Sequence, residues 1–159
     1  MVPTYEATEN FRGDARRVMD CLATSLTAAA FRIESAGEST LLAIAPRMYN
    51  TRQNPLLGAS RIELRVAGSS LSARAELGGV AWLMRLVGII LIGVAMLELP
   101  LAFLLPGWGK ITIPLRLLIM EGPLLPWIVL LPLMGGWMRG RARKAVDALL
   151  HNATIMASR

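Results

Sequence analysis

Three ionisable residues stand where the surrounding sequence is apolar: Glu98, Arg116 and Glu121. Leu86–Pro106 is 21 residues with Glu98 as its only charge, and Leu117–Met138 is 22 residues with Glu121 as its only charge. An ionisable side chain in such a stretch costs about 2.5–3.5 kcal/mol on insertion into a bilayer, so it must be paired, reach the head groups, or serve a proton, an ion or a partner side chain. Counted from Trp108 in the turn between the stretches, Glu98 lies ten residues before, Arg116 eight after and Glu121 thirteen after. At about 1.5 Å per helical residue these are depths of roughly 15, 12 and 20 Å. Glu98 and Arg116 therefore fall within about one helical turn of a common level, placed to pair across a hairpin.

Other chemistry is scarce. Cys21 and His151 are the single cysteine and the single histidine, which excludes an intramolecular disulfide and any cysteine-based metal cluster. Cys21 reads as a packed thiol and His151 as a surface residue. The turn Gly107-Trp108-Gly109-Lys110 lacks the first glycine of a phosphate loop, where Leu104 stands, and the hydroxyl after the lysine, where Ile111 stands. No catalytic residue, cofactor or metal site is expected, and an enzyme is the least favoured class.

The elements that position these charges are two membrane spans. A bilayer's hydrocarbon core takes about 20 apolar helical residues, which each stretch supplies. The expected spans are about 82–106 and 112–138, within a segment of residues 79–138. Six prolines (Pro100, Pro106, Pro114, Pro123, Pro126 and Pro132) fall in or beside the spans, and each internal one removes a backbone hydrogen bond. Two readings of the second stretch stay open: a continuous span, or a break at Gly122-Pro123 that leaves Leu124–Met138 as a short one.

The net charge of +6 and the isoelectric point near 10.7 take their meaning from where the cations stand. Arg139, Arg141, Arg143 and Lys144 directly follow the second stretch, where anionic lipid head groups attract cations. Trp82, Trp108 and Trp137, with Arg85, suit the membrane interfaces. The turn between the spans carries only Lys110, so the positive-inside rule puts both termini in the cytoplasm of a protein of the cell (inner) membrane. The first residues, Met1–Glu9, resemble neither a secretory signal nor a transit peptide. No basic face with stacking aromatics is present, so nucleic acid is not an expected partner.

Residues 1–78 read as a cytoplasmic α+β domain. Glu9–Ala30 has helical periodicity, with Phe11, Ala15, Val18, Met19, Leu22 and Leu26 on one face. The period then changes to two. Ile62, Leu64 and Val66 alternate with Arg61, Glu63 and Arg65; Leu71, Ala73 and Ala75 alternate with Ser72, Arg74 and Glu76. A turn at Gly68-Ser69 sets Arg61 opposite Glu76 and Glu63 opposite Arg74, the opposite-charge pairing that cross-strand neighbours prefer. A second hairpin, Phe31–Glu34 with Thr40–Ala45, is expected to turn Phe31, Ile33, Leu42 and Ile44 inward. The other side of the sheet, with Arg32, Glu34 and the charges of the first hairpin, is either a solvated face or a docking face. The tail, residues 139–159, reads as a short basic amphipathic helix lying on the membrane or against the domain.

The expected fold is thus α+β and membrane-anchored: an N-terminal amphipathic helix on a four-stranded antiparallel meander, a two-helix transmembrane hairpin, and a short C-terminal amphipathic helix. The expected function is that of a non-catalytic accessory, scaffold or assembly subunit. Its partners would be the lipid bilayer and a larger integral membrane complex or a homo-oligomer. The alternatives are a small oligomeric ion or proton transporter using Glu98 and Glu121, and a membrane-surface lipid or ligand sensor.

Overall fold

The structure is a computed structural model, and it describes residues 2–46, 54–104, 112, 115, 118, 119 and 122–157. Its contacts divide the chain into two compact units, Met1–Ala81 with Trp137–Arg159, and Trp82–Gly136.

The first unit is an α+β fold built on a five-stranded antiparallel sheet. The strands are β1 (Thr4–Asn10), β2 (Arg32–Ala36), β3 (Thr40–Ile44), β4 (Arg61–Ala67) and β5 (Ser70–Glu76), in the order β1-β5-β4-β3-β2. The β4–β5 hairpin has the register its charges require, with Arg61 opposite Glu76, Glu63 opposite Arg74 and Leu64 opposite Ala73. Gly68 opens the turn at φ 60, in the left-handed region that a two-residue hairpin turn demands.

Three sequence expectations are corrected here. The sheet has a fifth strand, β1, which adds to the free edge of β5 and pairs Tyr5 with Ala75 and Ala7 with Ala73. Helix α1 accordingly spans Ala15–Ala28 and not Glu9–Ala30. Glu9 and Asn10 belong to β1, and α1 starts only where the Asp14 side chain caps it by accepting from the Arg16 N–H at 3.0 Å. The phase of β3 is the third correction. Leu41 and Ala43 face the core, opposite Leu64 and Ile62, while Leu42 and Ile44 lie on the outer side. An irregularity between Ile33 and Ser35 keeps β2 in step with β3. Leu41-Leu42 is apolar on both faces, so alternation alone leaves the phase free; pairing with β4 decides it.

Helix α1 ends at Ala28, and Ala30 takes φ 67 so that the Phe31 N–H reaches back to the Leu26 carbonyl at 2.9 Å. Val18, Met19, Leu22 and Leu26 of α1 share one core with Ile62, Leu64, Leu71 and Ala73 of the inner sheet face.

Two long helices complete the described chain. Helix α2 is Gly78–Leu104, 27 residues with Pro100 inside it. Helix α3 is Leu125–Ala157, 33 residues with Pro132 inside it. The part of α3 from Trp137 onward belongs to the first unit. There Ala142, Val146, Leu149, Leu150 and Ala153 are buried in the same core as α1 and the sheet. The expected short C-terminal helix is therefore the second half of one continuous helix, packed against the domain. The Phe31–Ala45 hairpin, α1 and this returning helix enclose a single apolar layer on one side of the sheet.

Within α2, Gly78–Glu98 is a stretch of 21 residues, mean hydropathy 2.4, long and apolar enough to cross a membrane. It is the one such helix among the described residues. Among the described residues the second apolar stretch gives no helix long and apolar enough to cross a membrane. Gly122–Leu124 is a 3₁₀ turn and α3 begins at Leu125. Pro123 and Pro126, which lack an N–H, fit the start of a helix and not its interior. At about 1.5 Å per residue, the apolar Leu125–Met138 is roughly 20 Å long, short of a hydrocarbon core of about 30 Å.

Candidate membrane anchor and return helix

The exit of the chain from the domain is tightly built. Leu77 and Val80 are buried at 0% and 1% exposure. A Cβ on Gly79 would lie 2.6 Å from the Leu57 carbonyl oxygen, so only glycine lets α2 start against the 3₁₀ turn Pro55–Gly58. A Cβ on Gly58 would lie 2.9 Å from Ala142 Cβ and 3.2 Å from Val80 Cγ2. The beginning of α2 and the returning part of α3 thus meet at one small patch of backbone. The chain on either side of the apolar segment 82–136 belongs to the same unit.

The return helix is held along β1 by a polar seam. Tyr5 Oη donates to Asp147 Oδ1 at 2.7 Å, and His151 Nδ1 lies 2.9 Å from Glu9 Oε1. The Arg143 guanidinium stands 5.5 Å from the centre of the Tyr5 ring. Thr154 Oγ1 donates to the His151 carbonyl at 2.8 Å. His151 is on the surface as expected, but a carboxylate from the opposite end of the chain faces it. The hydrogen bond to Asp147 raises the Tyr5 phenol above its ordinary value, with burial and the Asp147 charge acting the same way and Arg143 opposing. A raised value favours the neutral phenol in the fold, so this part of the seam persists below pH 10 and weakens as pH rises through the shifted value. Cys21 packs from α1 against the same helix, its Sγ 3.4 Å from Met156 Sδ.

The opposite side of the sheet is a lattice of charges. Arg74 Nε lies 3.5 Å from Glu6 Oε1 across the β1–β5 pair. Arg65 reaches Glu63 Oε1 with Nε at 2.9 Å and Nη2 at 2.5 Å. The cross-strand neighbours Glu63 and Arg74 share a register position, yet the Glu63 carboxylate bonds Arg65 on its own strand. Glu6, Thr8, Glu63, Arg65, Ser72 and Arg74 line a shallow hollow of about 230 Å³ over this face. Mixed charge, hydroxyls and no enclosure suit a hydrated surface. Among the described residues no group of three or more potential metal ligands gathers.

The Arg65 hydrogen bond holds the Glu63 carboxyl below its ordinary value; burial opposes this, and the charges of Arg65, Arg61 and Arg74 add to the lowering. A lowered value contributes stability above the ordinary carboxylate range, and that contribution is lost as pH falls through the shifted value. Arg65→Gln is therefore expected to move the Glu63 midpoint upward in a carboxyl-resonance pH titration. An unmoved midpoint would refute the pairing.

Of the three intramembrane charges singled out in the sequence, Glu98 is on α2 and half-buried. Its Oε2 is shielded from solvent and has no hydrogen-bond partner, the one such side-chain atom among the described residues. Arg116 and Glu121 lie outside the described residues, as do Trp108 and the loop residues Arg47–Gln53. Arg85 and Trp82 are exposed on α2, and Met96 on the same helix is 74% exposed. On α3, Ile128 is 70% and Trp137 63% exposed. Following Trp137, Arg139 and Arg141 are half-buried, and Arg143 and Lys144 are exposed.

Sequence reasoning did not find the seam or the patch at Gly58. Both join residues near the two ends of the chain, where local periodicity carries no information. The alternation Thr4, Glu6, Thr8 against Tyr5 and Ala7 was the available signal for β1. Comparison with protein-family models, with curated proteins and with solved structures finds no match for this chain.

Proposed function

We propose that the chain is a non-catalytic accessory subunit that carries an α+β domain on a membrane-embedded excursion and docks to a larger integral membrane protein. The observation that carries this reading is the pairing of exposure with anchorage. The described residues of 82–136 present large apolar side chains outward, including Ile89, Met96, Ile128 and Leu133, while the chain on either side of the segment belongs to one α+β unit. Exposed apolar surface of this extent needs an apolar surrounding. A helical hairpin with both termini cytoplasmic is the topology that the cluster of cations after the apolar part of α3 favours.

The unsatisfied Oε2 of Glu98 supports a partner within the bilayer, because a buried carboxyl without a donor costs several kcal/mol and a neighbouring helix can supply one. Purification from native membranes in mild detergent is expected to yield the chain in fixed stoichiometry with a larger integral membrane protein. Glu98→Leu is expected to leave the protein in the membrane and to loosen that association. Recovery of a lone monodisperse monomer would overturn the proposal. The same oxygen suits a proton path in a homo-oligomer; proton flux through proteoliposomes of the pure protein, abolished by Glu98→Gln, would replace the accessory reading with that one.

A further inference from the structure

We infer that Arg141 and Lys144, with Trp137, form a binding surface for the phosphate of an anionic phospholipid head group, an inference that rests on the membrane-embedded reading above. The four cations that follow the apolar part of α3 look equivalent in the sequence, and the structure separates them. Arg139 is half-buried and already engaged within the protein, and Arg143 stands over the Tyr5 ring beside Asp147 in the seam to β1. Arg141 and Lys144 differ. With Trp137 they occupy positions i, i+4 and i+7 of α3, one face of the helix, opposite the face on which Ala142 and Val146 are buried at 0%.

No ion pair among the described residues includes Arg141 or Lys144. The Arg141 guanidinium is stacked 4.9 Å from the centre of the Trp137 ring, and that indole is 63% exposed. Stacking orients the planar fork while leaving its edge donors for a phosphate oxygen, and the ammonium of Lys144 adds a second charge one turn further on. The location is consistent with that ligand. This face begins where the apolar side chains of α3 end, the level at which a tryptophan ring sits among head groups and where cations meet the anionic leaflet. A freely diffusing phosphate would gain nothing from the exposed indole and the adjoining apolar helix; a phospholipid offers both an anion and acyl chains.

The test uses the full chain in maltoside micelles, with native mass spectrometry counting bound lipid. Phosphatidylglycerol is expected to be retained about tenfold more than phosphatidylcholine, because each cation near an anionic lipid contributes a several-fold preference. Arg141→Gln with Lys144→Gln is expected to abolish that preference, and Trp137→Leu to reduce it, whereas Arg16→Gln with Arg17→Gln, on exposed positions of α1, leaves it intact. Equal retention of the two lipids by the unaltered chain would overturn the inference whatever the variants do. Displacement of phosphatidylglycerol by millimolar inorganic phosphate would also overturn it, by assigning the cations to a free anion. Membrane embedding is scored separately, by resistance to alkaline carbonate extraction, so a failure of the head-group site and a failure of the anchor are read apart.

Discussion

A chain in which residues 82–136 are replaced by a short Gly-Ser linker is expected to fold as a soluble α+β domain, whereas a chain ending at Ala81 is not. The reason is the ownership of the core. Val146, Leu149 and Leu150 close the apolar layer from the C-terminal end, and full burial of such side chains is worth about 1.5–3 kcal/mol each. Together that is roughly 5–9 kcal/mol, as large as the whole stability of many small domains. The truncated chain also leaves Tyr5 without Asp147 and Glu9 without His151. The linker can be short because Val80 and Ala142 both approach Gly58. Ala142 is five residues beyond Trp137, about 7.5 Å along the helix axis, so a linker of about eight residues spans the gap. Circular dichroism and cooperative urea unfolding would check both halves. Cooperative unfolding of residues 1–81 alone would show that the return helix is dispensable and would undo the account of the excursion. The order of elements adds a consequence for synthesis: the wall that completes the domain is made after the apolar segment, so domain closure waits on delivery of residues 82–136.

Leu150→Ala should cost the domain about 2–5 kcal/mol, while Ile128→Ala should change its stability by less than about 0.5 kcal/mol. Both residues lie on α3 and both are large aliphatics, but Leu150 is 1% exposed in the domain core and Ile128 is 70% exposed. A cavity left at Leu150 loses contacts with the sheet and α1 that cannot be replaced by solvent. A methyl at Ile128 trims a surface that the domain does not use. Hydrogen exchange of the β4 and β5 amides in the full chain, in detergent, reports the difference directly. Equal protection losses would mean that the packing of α3 does not support the sheet. The contrast also separates the two parts of one helix: the first presents apolar side chains outward and the second buries them in the core.

What was legible in the sequence is what neighbours in the chain decide. The β4–β5 register could be read because Arg61, Glu63, Arg74 and Glu76 lie within one hairpin and their charges select one alignment. The apolar character of residues 86–138 could be read for the same reason, since length and hydropathy are local quantities. The α1 face was legible through its period, though its start was not. Glu9 and Asn10 continue the helical pattern, and only pairing with β5 takes them into the sheet.

The rest required the tertiary structure. The phase of β3 is degenerate in Leu41-Leu42 and is set by Ile62 and Leu64 on the adjacent strand. The tail's amphipathic face announced that something would cover it, but membrane and domain are equally apolar coverings. The choice fell to the inner sheet face, where Tyr5–Asp147 and Glu9–His151 join residues 142 positions apart. Likewise, four neighbouring cations carried one meaning by composition and acquired two by packing, because burial of Ala142 and Val146 fixes the rotation of α3, which sets Arg143 over Tyr5 and Arg141 and Lys144 on the face of Trp137. Local sequence sets which surfaces are apolar and how often they recur; which surfaces meet is settled by the single arrangement that buries them together.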